Sequence, residues 1–130
     1  MMKKGLLILI ALPMIGFGQQ TYVPDDNFEQ ILINQGYDTV LDDYVLTANI
    51  NQLTILQVGS SNIADLTGIE DFTALDFLYC GGNQLTSLDV SSNYNLKELL
   101  CADNQLQSLF LPNSIEILDC DANQLLSLNT

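Results

Sequence analysis

The chain has no histidine, no tryptophan and no arginine, and its three basic residues, Lys3, Lys4 and Lys97, face sixteen carboxylates in 130 positions. Without an imidazole, the Ser-His and Cys-His arrangements that activate most protein nucleophiles are excluded. The scarcity of cations argues against nucleic acid as a partner, because affinity for a phosphate backbone relies on Lys and Arg displacing counterions. Extended apolar sequence is also scarce. The run Leu6 to Leu12 is too short to span a hydrocarbon core of about 30 Å.

That run follows Lys3 and Lys4 and precedes Pro13 and the small-x-small triplet Gly16-Phe17-Gly18. The combination predicts a secretory signal peptide over 1–18, cleaved before Gln19. No cysteine follows the run, so no lipid anchor is expected. The product is then secreted or held at the cell surface, with no membrane insertion after cleavage. Processing leaves Lys97 alone against the sixteen carboxylates, a net charge near −15. Such a field favours solubility and repels anionic membranes.

What is present is a phrase written three times. Leu75-Asp-Phe-Leu78-Tyr-Cys80-Gly-Gly-Asn83-Gln-Leu85 is followed by Leu96-Lys-Glu-Leu99-Leu-Cys101-Ala-Asp-Asn104-Gln-Leu106, then by Ile115-Glu-Ile-Leu118-Asp-Cys120-Asp-Ala-Asn123-Gln-Leu125. A degenerate copy, Leu53-Thr-Ile-Leu56-Gln-Val58-Gly-Ser-Ser61-Asn-Ile63, stands one period ahead of the first. The spacing from Cys80 to Cys101 is 21 and from Cys101 to Cys120 is 19, the deficit falling around Leu111-Pro112-Asn113-Ser114. Self-similarity at this period predicts a solenoid, in which each coil buries its apolar face only by stacking on its neighbours. Period-two alternation around Leu78 and Cys80 predicts parallel strands at 55–58, 77–80, 98–101 and 117–120. Asn83, Asn104 and Asn123 follow the strands as a structural ladder whose amides serve orphaned backbone groups.

These residues resemble the leucine-rich repeat proteins, whose consensus is Leu-x-x-Leu-x-Leu-x-x-Asn/Cys-x-Leu. The resemblance covers roughly 53–128. It looks closest to secreted bacterial members with short coils of roughly twenty-one or twenty-two positions, the internalin-like type among them. Two departures stand out: cysteine at a strand position usually held by leucine, and a further Leu-x-x-Leu unit per coil at Leu85-x-x-Leu88, Leu106-x-x-Leu109 and Leu125-x-x-Leu128. The resemblance implies short parallel strands stacked on a concave side, and the extra unit predicts a mostly extended or irregular convex side. About four coils are expected over 53–130, the last one incomplete.

The first coil differs on its return leg, where Thr67-Gly68-Ile69-Glu70 has capping-box spacing and predicts one helical turn from Ile69 to Ala74. Ahead of the repeats, 19–52 reads as an N-terminal cap. Asp26-Asn27-Phe28-Glu29 predicts a capping box, Gly36 a stop, and 27–35 a helix with Phe28, Ile31 and Leu32 on one face. Such a helix suits the open apolar end of a solenoid. Val45 to Ile50 is expected to add an irregular edge strand.

Three recurrent cysteines in an exported chain raise the question of disulfides. Their number is odd, and the parallel Cβ directions of stacked rungs at about 4.8 Å fit disulfide geometry badly. Cys80, Cys101 and Cys120 are therefore expected as buried free thiols and members of the structural ladder. No metal and no cofactor is expected. A thiolate site lacks a fourth ligand, and neither Asp38, Asp42 and Asp43 nor Asp103, Asp119 and Asp121 has calcium-loop spacing. Glu98 and Asp119, one coil apart, form a carboxylate pair on paper, but a shallow curved sheet offers no cleft that excludes water. The chain is not expected to be an enzyme.

The concave sheet presents Ile55, Gln57, Phe77, Tyr79, Glu98, Leu100, Ile117 and Asp119. Phe77, Tyr79, Leu100 and Ile117 form an apolar patch and Glu98 and Asp119 its acidic border, the pattern of a contact site for a protein or glycan. The competing expectation is that a further segment or a neighbouring molecule covers these residues. The sequence stops at Leu128-Asn129-Thr130, partway through a coil and without a C-terminal cap. This suggests a fragment of a longer cell-surface protein, structural or adhesive in role, or self-association through the final coil.

Overall fold

The computed structural model describes residues 18–129. Apart from Gly18, the predicted signal peptide lies outside the described residues. In chain order the elements are β1 (Gln20–Tyr22), α1 (Asp26–Asn34), β2 (Tyr44–Leu46), α2 (Thr47–Ile50), β3 (Ile55–Gln57), a 3-10 turn (Ile69–Asp71), β4 (Phe77–Tyr79), β5 (Ser87–Asp89), β6 (Glu98–Leu100), β7 (Ser108–Phe110) and β8 (Ile117–Asp119). No helix among the described residues is long and apolar enough to cross a membrane.

The repeats wind into a solenoid with two parallel sheets. The longer sheet runs β3-β4-β6-β8, and β5 pairs with β7 on the return side. An isolated parallel bridge from Phe110 to Asn129 continues the second sheet. The extra Leu-x-x-Leu unit thus makes an extended return leg, with Leu88 and Leu109 at the buried centres of β5 and β7. The strands of the longer sheet end one residue before the cysteines. Pairing nonetheless reaches the cysteine row, since the Cys80 amide donates to the Leu100 carbonyl at 2.9 Å and the Cys101 amide to the Asp119 carbonyl at 2.8 Å.

The register also locates the length change. Asp89 pairs with Phe110, an offset of 21, whereas Glu98 pairs with Ile117, an offset of 19. The deficit therefore lies between Phe110 and Ile117. In the longer coil the turn is held by Asn93, fully buried, whose Nδ2 donates to the Ile69 and Phe72 carbonyls. In the shorter coil Ser114 takes over, its hydroxyl donating to the Leu96 carbonyl at 2.6 Å.

The interior is built of columns. Leu56, Leu78 and Leu99 form one, Val58, Cys80 and Cys101 a second, Ile63, Leu85 and Leu106 a third, and Leu66, Leu88 and Leu109 a fourth, all buried. Burying each such side chain contributes about 1.5–3 kcal/mol, far more than surface charge can supply here. The fourth coil is less covered. Leu118, Cys120 and Leu125 are only partly buried, and Leu128 is 47% exposed.

The cap covers the β3 end, with Val23, Phe28, Leu32, Val45 and Ile50 buried. The Phe28 ring stacks on Phe72 of the first coil at 6.0 Å between centroids, and Gly36, at φ +88°, lies just past the end of α1. Three local expectations need correction. Helix α1 is capped by Asp25 rather than Asp26: its Oδ1 accepts from the amides of Asn27 and Phe28. Glu29 does not reach back to close a capping box; it is buried and accepts from the amides of Asp42 and Asp43 instead. In the first coil the helical segment is only Ile69–Asp71, because Gly68 enters it at φ +107° while the Thr67 hydroxyl donates to Asp65. Of the expected edge strand, Val45 and Leu46 pair antiparallel with β1, but Thr47–Ile50 is helical.

Candidate functional site

The eight outward residues predicted for the longer sheet fall into two rows in register. Ile55, Phe77, Glu98 and Ile117 are cross-strand neighbours, as are Gln57, Tyr79, Leu100 and Asp119. Ile55 and Ile117 at the ends of the first row are 58% and 55% exposed, whereas Phe77 and Glu98 between them are half-buried. In the second row Tyr79 is 38% exposed and Leu100 half-buried. The result is a strip of apolar side chains four rungs long, with Gln57, Glu98 and Asp119 as its polar positions.

Tyr79 is placed by two glycines that composition alone does not mark as functional. A methyl group on Gly59 would overlap the Tyr79 ring, and one on Gly81 would stand 2.9 Å from it. The ring thus lies across the ends of two adjacent rungs, and the corresponding later positions, Ala102 and Asp121, carry side chains. Beyond them each coil turns inward through a residue at positive φ: Ser60, Gly82, Asp103 and Ala122. Only Gly82 signals this in the sequence.

Behind the strip the asparagines hold the rungs together. Asn83 Oδ1 accepts from the amides of Ser61 and Ile63, while its Nδ2 donates to the carbonyls of Val58 and Cys80. Asn104 accepts from Leu85 and donates to the Cys80 and Cys101 carbonyls, and Asn123 accepts from Leu106 and donates to the Cys101 and Cys120 carbonyls. Every amide therefore bonds its own coil and the one before it. The cysteines are free thiols: Cys80 and Cys101 are buried, Cys120 partly so. Burial pushes the Cys101 thiol up to about 12 and raises Cys80 and Cys120 as well. At neutral pH these groups stay protonated and unreactive.

The two carboxylates considered as a pair, Glu98 and Asp119, sit in different rows of an open sheet. The Asp38, Asp42 and Asp43 segment belongs to the cap. There Asp26, Glu29 and Asp43 bring carboxylate oxygens within 4.8 Å of one another, a grouping that sequence spacing does not disclose. Both Glu29 oxygens already accept backbone amides. Desolvation raises the Glu29 carboxyl, the Asp42 and Asp43 amides oppose this, and the charges of Asp38 and Asp42 add to the rise.

No family model matches the chain. The solved functional domain of InlJ from Listeria monocytogenes, described as including a cysteine ladder, superposes with a TM-score of 0.75 and 35% identity over 86% of this chain. The fold is an internalin-like leucine-rich repeat solenoid. A second leucine-rich repeat comparison, an internalin (inlF) from Listeria monocytogenes, gives a TM-score of 0.57 and 25% identity over 83% of this chain. In sequence, Internalin J of Listeria monocytogenes serotype 4b is 40% identical over 76 residues, 55% of this chain. The chain spans 8% of that protein and 26% and 36% of the two solved chains.

Proposed function

We propose that the chain is an exported, non-enzymatic leucine-rich repeat module that binds a partner protein through the outward face of the β3-β4-β6-β8 sheet. The observation that carries this reading is the strip itself. Ile55, Tyr79 and Ile117 remain exposed on a sheet whose other face packs on the interior columns, and contiguous exposed apolar area on a rigid surface marks contact sites. The likeness to internalin repeats supports a surface role. Export rests on the signal-peptide pattern of 1–18, and a glycan ligand is the narrower alternative for the same strip.

The test is a binding screen of immobilised extracellular proteins and glycans against the processed chain and its Tyr79→Ala/Leu100→Ala variant. Loss of a saturable interaction in the variant, with far-UV circular dichroism unchanged, supports the reading. Equal binding by both chains overturns it. A second reading, a structural or adhesive segment of a longer surface protein, is favoured by the small share of Internalin J that the chain spans. It predicts that the same variant leaves surface attachment unchanged.

A further inference from the structure

The outward face of the longer sheet is divided by charge. Two rows cross it in register, Ile55, Phe77, Glu98 and Ile117, then Gln57, Tyr79, Leu100 and Asp119. A third row, Gly59, Gly81, Ala102 and Asp121, continues them, with the Ser60, Gly82 and Asp103 amides donating to the Gly81, Ala102 and Asp121 carbonyls. The first two rungs place no charge in these rows, whereas the last two place Glu98, Asp119 and Asp121 there. Lys97, the one basic residue among the described residues, lies in the row before, bonded through its backbone to Asp76 and Glu116. It therefore leaves the division intact.

The uncharged half holds a built seat. A methyl group on Gly59 would overlap Tyr79 Cε2, and one on Gly81 would stand 2.9 Å from Cε1. Both edges of the ring thus fill space that side chains of the third row would take, which lays Tyr79 down across two rungs with a face to solvent. Neither glycine is at positive φ, so it is the ring and not the backbone that requires them. Beside this platform Ile55 is exposed and Phe77 half-buried.

We infer that the sheet strip takes a segment of a partner protein with an aromatic or apolar anchor at one end and basic residues at the other, the anchor on the Tyr79 platform and the cations over the β6–β8 half. The inference rests on this sheet being the contact face. Charge complementarity fixes which way the segment lies: a cation over the first two rungs finds no carboxylate in the rows, and one over the last two finds three. Exposed apolar surface held rigid supplies the anchor. The two halves are centred two rungs apart, about 10 Å at the strand spacing, which an extended chain covers in about three residues.

The experiment follows backbone amide shifts of the processed chain during titration with the peptide acetyl-Trp-Gly-Gly-Arg-Arg-amide, and with the same peptide carrying citrulline for both arginines. The expected result is saturable shifts at Ile55–Gln57 and Phe77–Tyr79 with both peptides, at Ile117–Asp119 with the arginine peptide alone, and binding about fivefold tighter for the arginine peptide. Added salt and Glu98→Gln/Asp119→Asn are both expected to abolish that preference. Gly59→Ala, which displaces the ring and leaves the backbone unstrained, is expected to weaken both peptides equally at an unchanged denaturant midpoint. Equal affinity for the two peptides on the strip overturns the inference while leaving the contact face standing. Shifts from the arginine peptide that spread over the cap carboxylates as strongly as over the strip overturn it too, because they report net charge alone. So does the absence of saturable shifts on the strip; the contact face itself is then judged by the Tyr79→Ala/Leu100→Ala screen.

Discussion

Glu29 shows how a single side chain can be legible in type and misread in role. Asp26-x-x-Glu29 has capping-box spacing, yet Asp25 takes the cap and Glu29 turns inward to hold the 42–43 backbone. The competing acceptor two residues upstream of Asn27 is what spacing rules alone cannot rank. The consequence is a pH signature. Burial raises the Glu29 carboxyl above its ordinary 4.5, so folding favours its protonated form. Its contribution to stability is full below the ordinary value and is lost as pH rises through the raised value in the fold. Urea unfolding of the native chain and of Glu29→Gln at a series of pH values tests this. As pH rises above the ordinary value of 4.5 the native chain is expected to lose stability relative to the variant; a constant or rising difference contradicts the assignment.

At the scale of elements, the strands were legible because their pattern is repeated. Leu78 and Cys80, Leu99 and Cys101, and Leu118 and Cys120 state the same period three times, and the pairing register follows it. The cap was less so. β1 is only three residues with the polar Thr21 at its buried position, and Thr47–Ile50 holds a helical turn although its Thr and Ile suit a strand, with the Thr47 hydroxyl in a tertiary contact. Thr21 donates its hydroxyl proton to Asp71 at 2.7 Å, so the 2.7 Å contact between the two threonines has Thr47 as donor. Asp25 is the stronger link between cap and coil. Its Oδ1 caps α1 while its Oδ2 accepts from the amides of Ala64 and Asp65. Replacing it with alanine is expected to cost about 1–2 kcal/mol, and Asn, which keeps one acceptor oxygen, roughly half as much. Denaturant midpoints give the totals, and faster hydrogen exchange at Ala64 and Asp65 would confirm that the lost contact is the joint. Unchanged exchange there would mean that Asp25 acts on the helix alone.

For the whole molecule, the solenoid was readable from its repeats, whereas the sheet strip was readable only as a set of positions. Which strip members stay exposed depends on neighbours far away in sequence, as Phe77 and Glu98 are half-covered while Ile55 and Ile117 are not. The placement of Tyr79 across Gly59 and Gly81 belongs to the same class of information. Coverage also sets a stability gradient. Leu78 is fully buried between two coils, and its counterpart Leu118 only partly so. Leu78→Ala is expected to cost about 3–5 kcal/mol and Leu118→Ala about 1–2 kcal/mol. Native-state hydrogen exchange should show the amides of Glu98–Leu100 opening more rarely than those of Ile117–Asp119, since repeat stabilities add along the stack. Equal protection in the two strands would mean that the coils unfold as one unit.

The asparagine ladder carries an implication for how such a chain can change length over generations. Asn83, Asn104 and Asn123 each bond only to their own coil and its predecessor, and the return side has already tolerated a shortened turn. A duplicated coil inserted between Leu96 and Ile115 would bring its own stitching amide and find a waiting partner, leaving Asp25 and the cap untouched. Growth by whole units then reuses the joints already present, and the array can be tuned in reach without redesigning them.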